Sequence, residues 1–252
     1  METAKKTSLD NPAWSALTTA QGAFAEGTPK AKRYKPNILP FAGVAAATAE
    51  AAEELDALMA PGEVFYLIGE RPPLPARWRP ELVLPCAQLL APADLHGMPQ
   101  PQEIIVSLGE ADKEEMYKLV TGIQPGYYHP DTRQLGEYFG IRRKGRLIAM
   151  AGERLRLTGD SDPGGLTGVG GLKDTRSPAA YTELSAICTH PDHTGHGYAQ
   201  QLIAWLCRRQ TAKGITPFLH VALSNERALR LYIHLGFRHR REIVFHRIRV
   251  ID

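Results

Sequence analysis

Cysteine is scarce in this chain, with three residues in 252, and Cys86, Cys188 and Cys207 sit at no paired spacing. That excludes a disulfide framework and a cysteine-based metal site, and leaves a reducing cytoplasm as the expected compartment. No apolar run approaches the ~20 residues that a membrane helix needs. Net charge is low at +3, so the broad basic field of a nucleic-acid binder is missing outside one patch near the C-terminus. Behind Lys5 and Lys6 there is no apolar stretch, so no secretory signal is expected. With 43% hydrophobic residues, a substantial core in one large or two modest domains is expected.

The chain reads as two parts. In residues 1–102 an alanine-rich stretch, Phe41 to Met59, predicts a helix ended by Pro61-Gly62, and Val64 to Gly69 and Glu81 to Leu84 predict strands around the proline-rich turn at 71–75. Pro92, Pro99 and Pro101 mark the boundary. Residues 103–252 predict a strand at 104–108, helices at about 112–121 and 132–138, and a hairpin from Phe139 to Leu157 through Lys144-Gly145. The glycine-rich stretch 158–180 fails the G-x-G-x-x-G spacing and reads as an insertion between strands. Beyond it come a strand to Thr189, a helix at about 198–213, a strand at 217–222, a helix at 226–235 and a β-rich end. Strand and helix alternate, which is an α/β core.

The densest information lies between Thr182 and Ala199, where a strand breaks at Pro191 and reopens through Gly195 and Gly197 into a helix. Such a turn leaves backbone N–H groups unpaired at the positive end of the helix dipole, and glycines let a phosphate approach them. The guest this suggests is a cofactor carrying a pyrophosphate. Asn225 and Tyr232 are seven apart, so they share one side of a helix and can both face one ligand.

Pro191 to Ala199, followed by Asn225-x-x-Ala228-x-x-Leu231-Tyr232-x-x-x-Gly236-Phe237, resembles the signature of the GNAT N-acetyltransferases. The resemblance covers roughly residues 103–252. It implies a mixed central sheet with flanking helices and a splayed strand pair, plus a smaller N-terminal α/β part. Some family members carry such an extension as a degenerate second copy. It implies acetyl-CoA as acetyl donor and a small-molecule amine or other amino group as acceptor, with small amines, amino acids, antibiotics and protein N-termini all open. In that frame Ile187 and Thr189 offer backbone groups to the pantetheine, and an N–H near Cys188 polarises the thioester carbonyl. Gly195, His196, Gly197, Tyr198 and Ala199 hold the pyrophosphate beside Thr194, which stands where the family usually has arginine or glutamine. Asn225 belongs to the same cofactor site. Tyr232 corresponds to the general acid and Glu183 to the base. The loop Gln124 to Pro130, with Tyr127, Tyr128 and His129, is where this fold commonly lines the acceptor pocket. A homodimer is a family habit.

Each assignment has a plainer counterpart. Glu183 equally suits an ion pair with a neighbouring arginine, and Tyr232 a packing tyrosine. His190, His193 and His196 lie on a turn where three-residue spacing does not converge side chains, so solvated histidines are expected and no metal. Arg238, Arg240, Arg241, Arg247 and Arg249 read as a solvated sheet face, without the interleaved aromatics of a stacking platform. A non-catalytic acyl-CoA sensor and a nucleic-acid module are the alternatives to an enzyme.

Overall fold

The structure, a computed structural model, describes residues 7–158 and 179–252. The glycine-rich reading at 158–180 falls almost wholly outside the described residues. In chain order the elements are α1 (Pro12–Thr18), β1 (Ala25–Gly27), β2 (Ala31–Tyr34), β3 (Phe41–Val44), α2 (Ala49–Asp56), β4 (Val64–Ile68), β5 (Trp78–Leu90), β6 (Ile105–Leu108) and α3 (Lys113–Ile123). They continue with β7 (Tyr138–Arg143), β8 (Arg146–Thr158), β9 (Ala179–Thr189), α4 (Tyr198–Thr211), β10 (Thr216–Ala222), α5 (Glu226–His234) and β11 (Arg238–Val250).

All the strands join one sheet in the order β1-β2-β3-β4-β11-β5-β10-β9-β8-β7-β6. Only two neighbouring pairs are parallel, β3 with β4 and β9 with β10. Each encloses one α-helix, α2 in the first and α4 in the second. The two longest-reaching strands are exchanged: β5, from the N-terminal part, pairs with β10, while β11, from the C-terminus, pairs with β4. β5 and β11 pair with each other along their length, so the chain on both sides of residue 102 builds one continuous sheet. This is the mixed sheet with flanking helices that the sequence led us to expect.

Local chemistry explains most boundaries. The β7–β8 hairpin turns on Lys144 (φ 48°) and Gly145 (φ 79°), the double positive φ of a tight turn matched to strand twist. α5 starts where the Asn225 side chain accepts from Ala228 N–H at 3.1 Å. Three expectations fail for tertiary reasons. Phe41–Val44 is a strand and not the start of a helix, because it is buried on both faces between β2 and β4; the helix begins only after Thr48 caps it. The expected helix at 132–138 is a short 3-10 turn, Thr132–Leu135, after which Glu137 O accepts from Glu153 N–H and the chain enters β7. β5 runs from Trp78 to Leu90, through Pro80 and Pro85, and so extends past both ends of the expected strand Glu81 to Leu84. β10 covers only Cys86–Leu90, so the missing N–H groups fall where one edge of the strand has no partner strand.

α4 and α5 pack on the sheet through Leu202, Ile203, Leu206, Tyr232, Leu235 and Phe237, all buried. A second cluster, with Tyr34, Phe41, Cys86, Leu155, Phe218 and Phe245, fills the middle of the sheet beneath α1. Burial at ~25 cal/mol per Å² of apolar surface makes these two faces the main stabilising contribution.

Candidate active site

β9 and β10 stay paired only over Tyr181–Glu183 and Thr216–Phe218. Beyond that point they part, β9 staying with β8 and β10 with β5. The divergence is built into β9. Opposite Met150–Gly152 it spans Ser185–Cys188, one residue more than its partner, and Ala186 takes φ 50°. A bulge of this kind bends a strand and frees part of its edge. His190 N–H donates to Ile148 O at 2.7 Å, so by strand alternation Ile187 and Thr189 turn their backbone groups to the opposite edge. The Gln124 side chain donating to Ile187 O at 3.3 Å lies on that edge.

The gap opens into a cavity of about 950 Å³. Its walls are Leu184–Thr189 of β9, the turn at 193–200, one side of α5, and the segment from Val120 to Tyr128. Ile187, Cys188, Thr189, Thr194, Gly195, His196, Gly197, Tyr198, Ala199, Asn225 and Tyr232 all line it. Gly195 and Gly197 hold φ 85° and 72°, the left-handed region that costs other residues about 1 kcal/mol or more. A Cβ on Gly195 would meet nothing within 4 Å, so this stretch of backbone stands open to the cavity. α4 has no side-chain cap, and its first bond runs from Gln201 N–H to Gly197 O at 3.1 Å. The N–H groups of residues 195–200 are therefore without a protein acceptor among the described residues, a set of donors suited to a diphosphate.

The polar side chains of the turn are engaged within it. Thr194 Oγ1 donates to Pro191 O at 3.2 Å, and His196 stacks on Tyr198 with ring centroids 5.4 Å apart. His190 Nδ1 accepts from Asp192 N–H at 3.3 Å. Asn225 uses Oδ1 to cap α5, leaving its amide N–H groups on the cavity side. Tyr232 is buried at 8% exposure, and burial pushes its phenol up to about 12.

Glu183 is different. It is fully buried and does not line the cavity. Arg154 grips it with two bonds, Nε to Oε2 at 2.9 Å and Nη2 to Oε1 at 2.6 Å. His220 Nδ1 adds a third contact at 2.7 Å. Gln88 fixes the tautomer. Its Oε1 accepts from Arg240, so its Nε2 faces His220 Nε2 at 3.0 Å. An amide nitrogen only donates; His220 Nε2 therefore accepts, and the ring proton sits on Nδ1, directed at Glu183. Despite the desolvation that opposes it, Arg154 and then His220 hold the Glu183 carboxyl down at about 2. A carboxylate so acidic, with both oxygens occupied, is a poor proton acceptor. The geometry corrects the base assignment to the ion-pair alternative.

Several cavity residues carried no local signal. Leu84 and Cys86 come from β5, Phe245 from β11 and His220 from β10. Arg154 had one sign: a charge within the apolar run of β8, all of whose residues from 147 to 155 are buried. Tyr128, in the loop named from sequence, is 4% exposed, lines the cavity, and has no partner for its hydroxyl among the described residues. It packs in one cluster with Ala186 and Cys188 of the bulge.

A splayed parallel pair with a bare helix start at its mouth is the architecture of an acetyltransferase. A family model described as FR47-like protein matches residues 165–246. A solved protein from Novosphingobium aromaticivorans, described as an acetyltransferase from the GNAT family, is similar at TM-score 0.80 and 30% identity over 97% of this chain and 99% of that chain. A GCN5-related N-acetyltransferase from Kribbella flavida (TM-score 0.57, 14% identity, 94% of each chain) shares the fold. So does a GCN5-related N-acetyltransferase-like protein from Streptococcus suis (TM-score 0.55, 14% identity, 93% of each chain). No curated protein matches the chain in sequence. The chain belongs to the GNAT family, and it is an acetyltransferase. Among the described residues no helix is long and apolar enough to cross a membrane.

Proposed function

We propose that the enzyme transfers an acetyl group from acetyl-CoA to a primary amine, in the cleft between β9 and β10. The observation that carries this is the run of unpartnered N–H groups at 195–200, opening on the same cavity as Tyr232. Acetyl-CoA supplies the activated acyl group as a thioester. Residues 195–200 would hold its diphosphate, and the freed edge of β9 at Ile187 and Thr189 would hold its pantetheine amides. The N–H groups of the bulge around Cys188 are preorganised donors for charge developing on a carbonyl oxygen.

Tyr232 Oη keeps its proton throughout the neutral range. Ordinarily a phenol near 12 is too weak an acid to protonate a thiolate whose own pKa is about 8.5. Cys188 gauges the local effect: burial pushes that thiol up to about 12 as well. A thiolate equally desolvated accepts the Tyr232 proton with little energetic penalty. With Glu183 withdrawn into its ion pair, the proton of an alkylammonium acceptor leaves to water in the cleft. That neutralisation costs about 4 kcal/mol at pH 7, set by an amine pKa near 10.4. Calorimetry with acetyl-CoA and a CoA-release assay across an amine panel test the proposal; no heat with millimolar acetyl-CoA rejects it.

A further inference from the structure

Charge around the cavity has one sign. Arg154, Arg227 and Arg230 line it, and among the described lining residues there is no aspartate or glutamate. The carboxylate behind Arg154, Glu183, has nothing to offer a ligand: Oε1 takes Arg154 Nη2 and His220, and Oε2 takes Arg154 Nε. Arg154 itself is not exhausted. A guanidinium has five N–H groups, and among the described residues no protein acceptor takes those of Nη1. The side chain is 7% exposed, lines the cavity and is pinned by the Phe41 ring, 4.7 Å from its guanidinium carbon. Leu84, Cys86 and Phe245 line the same cavity. The chamber therefore presents the Arg154 guanidinium beside apolar side chains, with both oxygens of Glu183 already taken.

A purely cationic acceptor, such as a polyamine or a lysine side chain, finds no counter-charge in such a chamber. An acceptor that carries a carboxylate does. We propose that the acceptor is an amine bearing a carboxylate and an apolar body, an amino acid or close analogue, and that Arg154 is the specificity-determining residue that binds its carboxylate through Nη1. This rests on the acetyl-transfer reading above for the amine, but the carboxylate site is testable without it.

The test is calorimetric titration of the full chain with three carboxylates (acetate, butyrate, 3-phenylpropionate) and the matching amines (methylamine, propylamine, 2-phenylethylamine), with acetyl-CoA titrated in parallel. At least one carboxylate is expected to bind ~10- to 100-fold more tightly than its amine, the range of a charge-assisted hydrogen bond. Glu183→Gln, which removes the internal anion and keeps Arg154, should tighten carboxylate binding severalfold. The double variant Arg154→Gln/Glu183→Gln, which leaves no unpaired buried charge, should abolish it; thermal melting reports whether the variant is folded. Should the double variant fail to fold, Glu183→Gln alone decides. Amines binding as well as carboxylates, no carboxylate binding at millimolar concentration, or no change in either variant overturns the proposal. Carboxylate binding without acetyl-CoA binding removes the transfer reading alone; the converse removes this inference alone.

Discussion

The sheet contains two parallel strand pairs with a helix between their strands, and only one of them forms an open cleft. At β9/β10 the connecting helix starts behind Gly197 with no side-chain cap and no acidic residue in its first turn. At β3/β4 the connecting helix α2 is capped by Thr48, which accepts from Ala51 N–H at 3.2 Å, and carries Glu50 in its first turn. The first is open to an anion; the second has its donors partly satisfied and a negative charge in place. Space differs too. Over β3, helix α1 lies so close that a Cβ on Gly43 would stand 2.6 Å from the Trp14 nitrogen. What remains beside Val44 and Ala45–Ala47 is a cavity of about 420 Å³ bordered by Asp10 and Glu70. The same topology thus supports either a ligand cleft or a packed wall, and the choice rests on a few residues at the helix start.

The largest expected effect comes from closing the open member of the pair. Gly195→Glu sets a side chain and a negative charge among the free N–H groups, and acetyl-CoA affinity measured by calorimetry should fall at least ~100-fold. An unchanged affinity would place the diphosphate elsewhere. Next in size, Tyr232→Phe should lower kcat by ~100-fold, within the usual range for a lost general acid, with little change in the KM for acetyl-CoA. Because its phenol sits at about 12, kcat/KM should rise with pH from 7 to 9 as the acceptor loses its proton, without a falling limb. A descending limb near pH 8 assigns the acid to another group.

The buried pair behind the cleft gives a stability signature. The Glu183 value of about 2 lies below its ordinary 4.5, so its contribution is fully present above pH 4.5 and is lost as pH falls through about 2. The difference corresponds to about 3 kcal/mol. Urea unfolding of the wild type should weaken over that interval, and Glu183→Gln should flatten the dependence; parallel curves would remove the pairing from the account. Smallest is the closed member of the pair: Thr48→Ala should lower stability by about 1 kcal/mol and leave one acetyl-CoA site per chain. A second site appearing would mean that the cap, and not α1, keeps that wall closed.

Much of the cleft was legible because it is written locally. Gly195 and Gly197 admit positive φ without the steric cost other residues meet, Asn225 is a favoured cap for the helix that follows it, and Lys144-Gly145 makes a hairpin from two residues. The misreadings have the opposite character. Phe41–Val44 looks like helix until strands on both sides claim its backbone, and Glu81 to Leu84 looks like a short strand until β11 proves to pair with the chain from Trp78 to Leu90.

The chain's own order of residues was enough to define the glycine turn at 195–197 and the helices that follow it, since backbone dihedral preference and helix periodicity act over fewer than ten positions. The exchange of β5 and β11, the withdrawal of Glu183 into Arg154 and His220, and the donor-lined chamber joining residues 84, 154, 220 and 245 had no such marker. Pairing between distant strands is chosen by the burial of whole faces, so the neighbours of a buried charge emerge only when the sheet closes.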